Sequence, residues 1–215
     1  MVENVDRNKP SVTFNKMVSG KAYRPDKYCS AMTRRGEDLI QVYTQQYRER
    51  DKEGMKKTLT GLLGAVGEDV TFRPPLNFDY GVNTFIGDHC FFNYGAMILD
   101  VAEVRIGDFF MAGPNVQFLT PTHPLNPEDR QALWEGGQPI TIGNNVWAGG
   151  GVIFCPGITV GDNCVIGAGS VVTKDIPAHS VAVGNPARVI KTVTADDRPA
   201  APHQFSAEAL AQEEE

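Results

Sequence analysis

The sequence predicts a mainly-β chain: a parallel β-helix of hexapeptide repeats, closed at one end by an N-terminal α-helical hairpin. Three observations point there. Four tetrapeptides share one form, Ile86-Gly-Asp-His, Ile106-Gly-Asp-Phe, Ile142-Gly-Asn-Asn and Val160-Gly-Asp-Asn. Apolar residues or Ala recur every six positions, as Ile86, Phe92, Ile98, then Ile106, Ala112, Phe118, then Ile142, Ala148, Phe154, Val160, Ile166, Val172. Six matches neither the helical period nor a heptad. Residues 1–62 abandon that step for helical spacing.

Each element follows from what the repeat needs. A hexapeptide makes one short strand whose inward position must be apolar. The Gly-Asp or Gly-Asn pair supplies a turn, where residues tolerant of positive φ are expected. Three such sides close a coil of 18 residues, the spacing from Ile142 to Val160. Stacking the coils pairs every strand above and below and joins the inward residues into one apolar column.

Two breaks interrupt the period. The step from Ile98 to Ile106 is eight residues, and that from Phe118 to Ile142 is 24. The longer one implies a loop over about 119–138 that leaves the column and carries Thr120-Pro121-Thr122-His123-Pro124. A long loop on a rigid scaffold is a common seat of function. In the expected cap, 1–62, Met32, Leu39, Ile40 and Tyr43 form one helical stripe and Met55, Leu59, Leu62 and Leu63 a second, punctuated by Gly54, Gly61 and Gly64. A cap is needed because an open terminal coil would expose apolar edges and unpaired backbone. The β-helix is expected over 63–191. The tail, 192–215, reads as disordered, with SAEALAQEEE as a short helical turn capped by Ser206.

Charge narrows the function. The chain has 215 residues and a net charge of -6. Residues 1–62 hold 13 cations and 8 anions, while 63–191 hold 6 and 12. No basic run with interleaved aromatics appears, so no nucleic acid is expected as partner. No membrane partner is expected either, because no apolar run reaches spanning length and the start lacks a signal-peptide layout. Four cysteines without a CxxC suggest a reduced, cytoplasmic protein. Lys174, Arg188 and Lys191 crowd the last 18 residues of the middle segment.

Residues 140–191, with the THP loop, the F-x-Y-G at Phe78–Gly81, the stretch Phe91–Asp100 and Gly20-x-x-Tyr23, resemble the galactoside/maltose O-acetyltransferases of the hexapeptide-repeat superfamily. The resemblance covers roughly residues 20–191. It implies a left-handed β-helix, a homotrimer with sites between neighbouring prisms, and acetyl-CoA-dependent transfer to a hydroxyl of a sugar-like acceptor. It aligns His123 with the catalytic histidine and Gly150 with the oxyanion N–H. Asp26, Asp79, Asn93 and Glu135 align with acceptor-binding positions, and Gly150, Ala168, Thr173, Lys174, Arg188 and Lys191 with coenzyme contacts. One departure is Val101, where galactoside-acetylating relatives can carry a second acid after the position of Asp100.

The chemistry fits those assignments. A hydroxyl does not ionise at neutral pH, so a base must take its proton as attack develops, and a free imidazole suits that task. Of four histidines, His123 alone lies on the loop, between Pro121 and Pro124. His89 reads as a turn residue, and His179 and His203 as post-repeat and tail residues. Glu135 can orient His123 or bind a hydroxyl, and Trp147 can stack on a ligand or pack between coils. Cys90, Cys155 and Cys164 sit at repeat positions as small hydrophobes, and thioester transfer to an alcohol needs no metal. Direct transfer in a ternary complex is therefore expected. Three other readings stay open: a non-catalytic trimeric CoA-binding scaffold, acylation of an amine or non-sugar alcohol, and a zinc enzyme sharing the prism.

Overall fold

A computed structural model describes residues 5–194 and Asp197. The tail motif with Ser206, and His203, lie outside the described residues. The column is a three-sided parallel β-solenoid of about six coils. The first face stacks Ala65–Val66, Thr84–Ile86, Val104–Ile106, Ile140–Ile142 and Thr159–Val160. The second stacks Thr71–Phe72, Phe91–Phe92, Met111–Ala112, Trp147–Ala148, Val165–Ile166 and Ser180–Val183. The third stacks Leu76–Phe78, Ala96–Leu99, Gln117–Leu119, Ile153–Phe154 and Val171–Val172. Each strand pairs in parallel with its neighbours, with Ile86 opposite Ile106 and Phe118 opposite Phe154. At the far end Arg188–Thr192 returns antiparallel along Ser180–Val183.

The six-residue pattern is the core. All twelve residues of the three runs are buried, and Phe92, Ile98, Phe118, Phe154 and Val172 are fully so. Aromatic rings stack along the axis, Phe72 on Phe92 at 4.1 Å and Phe118 on Phe154 at 4.9 Å between centroids. Burying one such ring contributes about 2–3 kcal/mol.

The corner between the first and second faces corrects the expected role of its glycines. Left-handed backbone falls two residues after each glycine, at His89, Phe109, Asn145 and Asn163. Glycine is required for another reason. A Cβ on Gly143 would lie 2.7 Å from the Asp162 nitrogen and 2.9 Å from the Gly161 carbonyl carbon, backbone of the next coil. The neighbouring Asp or Asn then links coils along the corner. Asp88 Oδ1 accepts from the Glu68 N–H at 2.7 Å, Asp108 Oδ1 from Asp88 at 2.8 Å, Asn144 Oδ1 from Asp108 at 2.9 Å and Asp162 Oδ1 from Asn144 at 2.6 Å. Gly-Asp thus encodes close approach followed by an inter-coil hydrogen bond.

The N-terminal region holds three helices rather than two. These are α1 (Val12–Val18), α2 (Lys27–Glu49) and α3 (Lys52–Leu62), begun by Ser11, Asp26 and Asp51 as N-caps. Gly54 and Gly61 lie inside α3 rather than ending it. α2 and α3 cover the first coil. At its edge the buried Tyr43 hydroxyl donates to the Phe72 carbonyl at 3.0 Å and accepts from the Phe72 N–H at 3.1 Å, replacing an absent strand. No helix among the described residues is long and apolar enough to cross a membrane.

Candidate active site

The 24-residue break is a loop anchored at the corner between the third and first faces. Thr120, fully buried, fixes its departure: its hydroxyl donates to the Leu99 carbonyl at 2.7 Å and accepts from the Ala102 N–H at 2.9 Å. Pro121–Thr122 then pairs antiparallel with Gly136–Gly137, Thr122 opposite Gly136. The next position along each limb is His123 on one side and Glu135 on the other. Beyond them the loop makes a five-residue helix, α4 (Pro127–Gln131), capped by Asn126. His123 is solvent-exposed in the single chain.

The returning limb is held by the segment before α2. Tyr23 and Glu135 exchange both backbone hydrogen bonds at 3.0 Å, and the Tyr23 hydroxyl donates to Glu135 Oε2 at 2.8 Å. Arg24 lies over the Trp134 ring at 4.5 Å. Tyr23 belongs to a second small core, with Phe14, Met17, Cys29, Met32, Tyr80 and Val101, that joins α1 and α2 to this corner. Burial, reinforced by the hydrogen bond to Glu135, drives the Tyr23 phenol far above its ordinary pKa, so it remains a donor.

Asp79 lies at the same corner, two coils above, following Leu76–Phe78 where the loop follows Gln117–Leu119. Burial, with the negative charges of Asp100 and Glu135, pushes its carboxyl up to about 7. No cation among the described residues offsets them. Asp100 is fully buried and explains the shorter break in the period. The extra residues form a turn whose carboxylate accepts from the N–H groups of Tyr80 at 2.8 Å, Gly81 at 3.1 Å and Asn83 at 3.1 Å. Burial raises its pKa against the opposing pull of those donors. Asp100 therefore shapes the turn that presents Asp79. Asp26 is the N-cap of α2, its Oδ1 accepting from Cys29 at 2.9 Å. Burial opposes its ionisation, but the Cys29 N–H, with the Ser11 hydroxyl, outweighs that and holds its pKa below the usual value.

The remaining residues form a second group, at the corner between the second and third faces. Asn93 stands there in the second coil, its Oδ1 accepting from the Tyr94 N–H at 2.9 Å. Two coils further, the Gly149 N–H goes to Ile166 at 2.8 Å and that of Gly151 to Pro114 at 2.7 Å, whereas the Gly150 N–H has no acceptor among the described residues. Gly151, at φ +70, takes the turn's strained conformation. Ala168 is exposed directly below, a Cβ on Gly149 meeting its nitrogen at 2.6 Å. A small, glycine-lined ledge with one free donor results among the described residues.

Of the cations close in sequence, Arg188 and Lys191 share the strand Arg188–Thr192, and Lys174 stands apart from them. Arg188 pairs opposite Val183 near the Asn93–Ala168 corner, while Thr173 and Lys174 occupy an exposed turn at the His123 corner. Lys191, opposite Val181, makes an ion pair with Asp197. Trp147 projects outward from the second face, 53% exposed, so it does not pack between coils. His89 occupies the third corner, stacked on Phe109 at 5.0 Å, away from His123. The sequence assigns no role to Tyr23 or Asp100, although the eight-residue step from Ile98 to Ile106 marks Asp100.

Comparison with known proteins bears on the fold and the family. Residues 139–174 match the family model described as bacterial transferase hexapeptide (six repeats). The galactoside O-acetyltransferase of Escherichia coli K12 is 40% identical over 164 residues, 76% of this chain and 80% of that protein. A maltose O-acetyltransferase structure from Clostridium difficile 630 superposes with a TM-score of 0.83 at 43% identity, covering 86% of this chain and all of that one. A galactoside acetyltransferase in complex with coenzyme A gives 0.81 at 36%, covering 87% and 94%. The chain therefore belongs to the galactoside/maltose O-acetyltransferase family of hexapeptide-repeat proteins and is an acetyl-CoA-dependent acetyltransferase.

Proposed function

We propose that this enzyme transfers acetyl from acetyl-CoA directly to a hydroxyl of a sugar-like acceptor, with His123 as general base in a ternary complex. The observation that carries the reading is the histidine's seat. It ends a ribbon pinned at both limbs, across from Glu135, whose charge reaches a desolvated Asp79, a setting suited to gripping hydroxyl groups. In the step, the acceptor's O–H proton passes to the imidazole as its oxygen attacks the acetyl carbonyl carbon. The new C–O bond forms, the C–S bond breaks, and the departing thiolate takes the proton from the imidazolium. The free Gly150 N–H is the donor for the carbonyl oxygen as it gains charge.

The two residue groups stand at opposite ends of the third face. His123, Glu135, Asp79 and Asp26 form one half-site, and Gly150, Asn93, Ala168 and Arg188 the other. That division supports a homotrimer in which one prism's histidine corner faces its neighbour's glycine ledge. Thr173, Lys174, Arg188 and Lys191 then approach the coenzyme and its phosphates from two prisms. The exposed second-face side chains Met111 and Trp147 offer apolar surface for such packing. The four cysteines are free, which supports a reducing, cytoplasmic setting.

A thiol-release assay with acetyl-CoA against galactosides, maltose, amino sugars and small alcohols tests the reading. Turnover on a sugar is expected, falling about 10²–10⁴-fold in His123→Ala with acetyl-CoA binding retained. Undiminished turnover in that variant overturns the base assignment.

A further inference from the structure

We infer that Tyr23 is a positioning residue for the reaction: its phenol and its backbone together hold Glu135, and through it the His123 loop, in place over the acceptor side of the site. This rests on the reading of that site given above.

The loop's two limbs are secured differently. The outgoing limb is tied to the column itself, through Thr120 to Leu99 and Ala102. The returning limb gains its further hold from a segment 112 residues away in sequence, where Tyr23 makes one side-chain and two backbone hydrogen bonds to a single residue. Between the limbs the loop has little packing of its own, with Leu125 96% and Leu133 68% exposed. Removing the hold frees the limb that faces His123.

Tyr23 is suited to this duty. It is 2% exposed, so its ring is fixed among Met17, Cys29 and Tyr80, and a fixed ring loses little freedom in making the bond. Its hydroxyl bonds a carboxylate, the stronger class of hydrogen bond. Glu135 in turn stands within electrostatic reach of Asp79, so an unclamped Glu135 disturbs the acceptor carboxylates as well as the loop. Arg24 on Trp134 extends the same strap by one residue on each side.

The test compares full-length wild type, Tyr23→Phe, Glu135→Gln and the double variant. Loop mobility is read by hydrogen exchange over 120–138, and steady-state constants are measured for each substrate. Tyr23→Phe keeps the buried ring and deletes the donor. The expectation is faster exchange in the loop and a loss of about tenfold in acceptor kcat/KM, the size of one charge-assisted hydrogen bond, with the KM for acetyl-CoA unchanged. Glu135→Gln keeps an acceptor oxygen for the phenol but not its charge, so loop exchange rises less than in Tyr23→Phe. In the double variant the tyrosine effect on exchange recurs. Unchanged loop exchange in Tyr23→Phe overturns the inference. So does a lowered unfolding midpoint with unchanged kcat/KM per folded site, which marks a structural residue. If Tyr23→Phe does not fold, Glu135→Ala removes the same bond from the other side, and the same exchange criterion decides. If wild type acetylates no acceptor, the functional reading fails, while the exchange measurements still decide the clamp.

Discussion

Asp100 offers the sharpest test of how this corner is built. Its carboxylate, fully buried, accepts three backbone N–H groups, from Tyr80, Gly81 and Asn83 at 2.8–3.1 Å. Asp100→Ala strands all three. A buried donor left unsatisfied costs about 1–3 kcal/mol, and water entering the small void recovers part of that. The expected loss is about 3–6 kcal/mol, a large fraction of the roughly 5–15 kcal/mol that holds a typical domain. Asp100→Asn is a graded control. Its oxygen can still serve Tyr80 and Gly81, but the amide then meets the Asn83 N–H donor to donor, so about 1–3 kcal/mol is lost. Guanidinium unfolding at one protein concentration, followed by circular dichroism, should rank wild type above Asn above Ala. Because Tyr80 adjoins Asp79, the acceptor KM should rise in the same order while that for acetyl-CoA stays put. An Ala variant within 1 kcal/mol of wild type would refute the claim that this carboxylate organises the turn.

Asp79 predicts a pH effect of definite sign. Its folded pKa, about 7, lies above the usual 3.8, so the fold favours the protonated form. That stabilisation is fully present below about pH 4 and is lost as pH rises through 7. Asp79→Asn lacks it, so the wild type should lose ground against the variant between pH 4 and 7 by about 2–4 kcal/mol; parallel stability curves contradict the assignment. Glycine substitutions separate two reasons for glycine. Gly143→Ala drives a methyl into the backbone of the next coil and should cost about 3 kcal/mol or more. Gly169→Ala, at φ +71 with open space around it, should cost only about 1 kcal/mol; melting temperatures in the reverse order contradict the close-approach explanation.

The parts of the molecule legible in sequence are those written by local repetition. One inward residue per hexapeptide has to be apolar, so Ile86 through Val172 declare the column, and a break in that step declares a loop. His123 could be singled out because it sits in the largest break. The Gly-Asp pairs were legible as corners, but their cause was not: close approach between coils depends on a neighbour 18 or more residues away, at Asp162 for Gly143. Long-range pairing hid the rest. Tyr23 finds Glu135 across 112 residues, and no periodicity connects them. α1 is not legible in the sequence because its seven residues are too few for a helical pattern to stand out. Lys174, Arg188 and Lys191 read as one cluster in sequence, yet Lys174 follows a third-face strand while Arg188 and Lys191 share the strand Arg188–Thr192 on the second face. The division of the site into two corners likewise emerges only when the coils are stacked.

Coordinates of the assembled protein with CoA bound would examine the general-base account at its centre. The account predicts the His123 ring of one protomer within hydrogen-bonding or single-water reach of the thiol, in a cleft whose other wall presents a neighbour's Gly150 N–H. A ring lying beyond that reach in every cleft able to hold the pantetheine arm contradicts it.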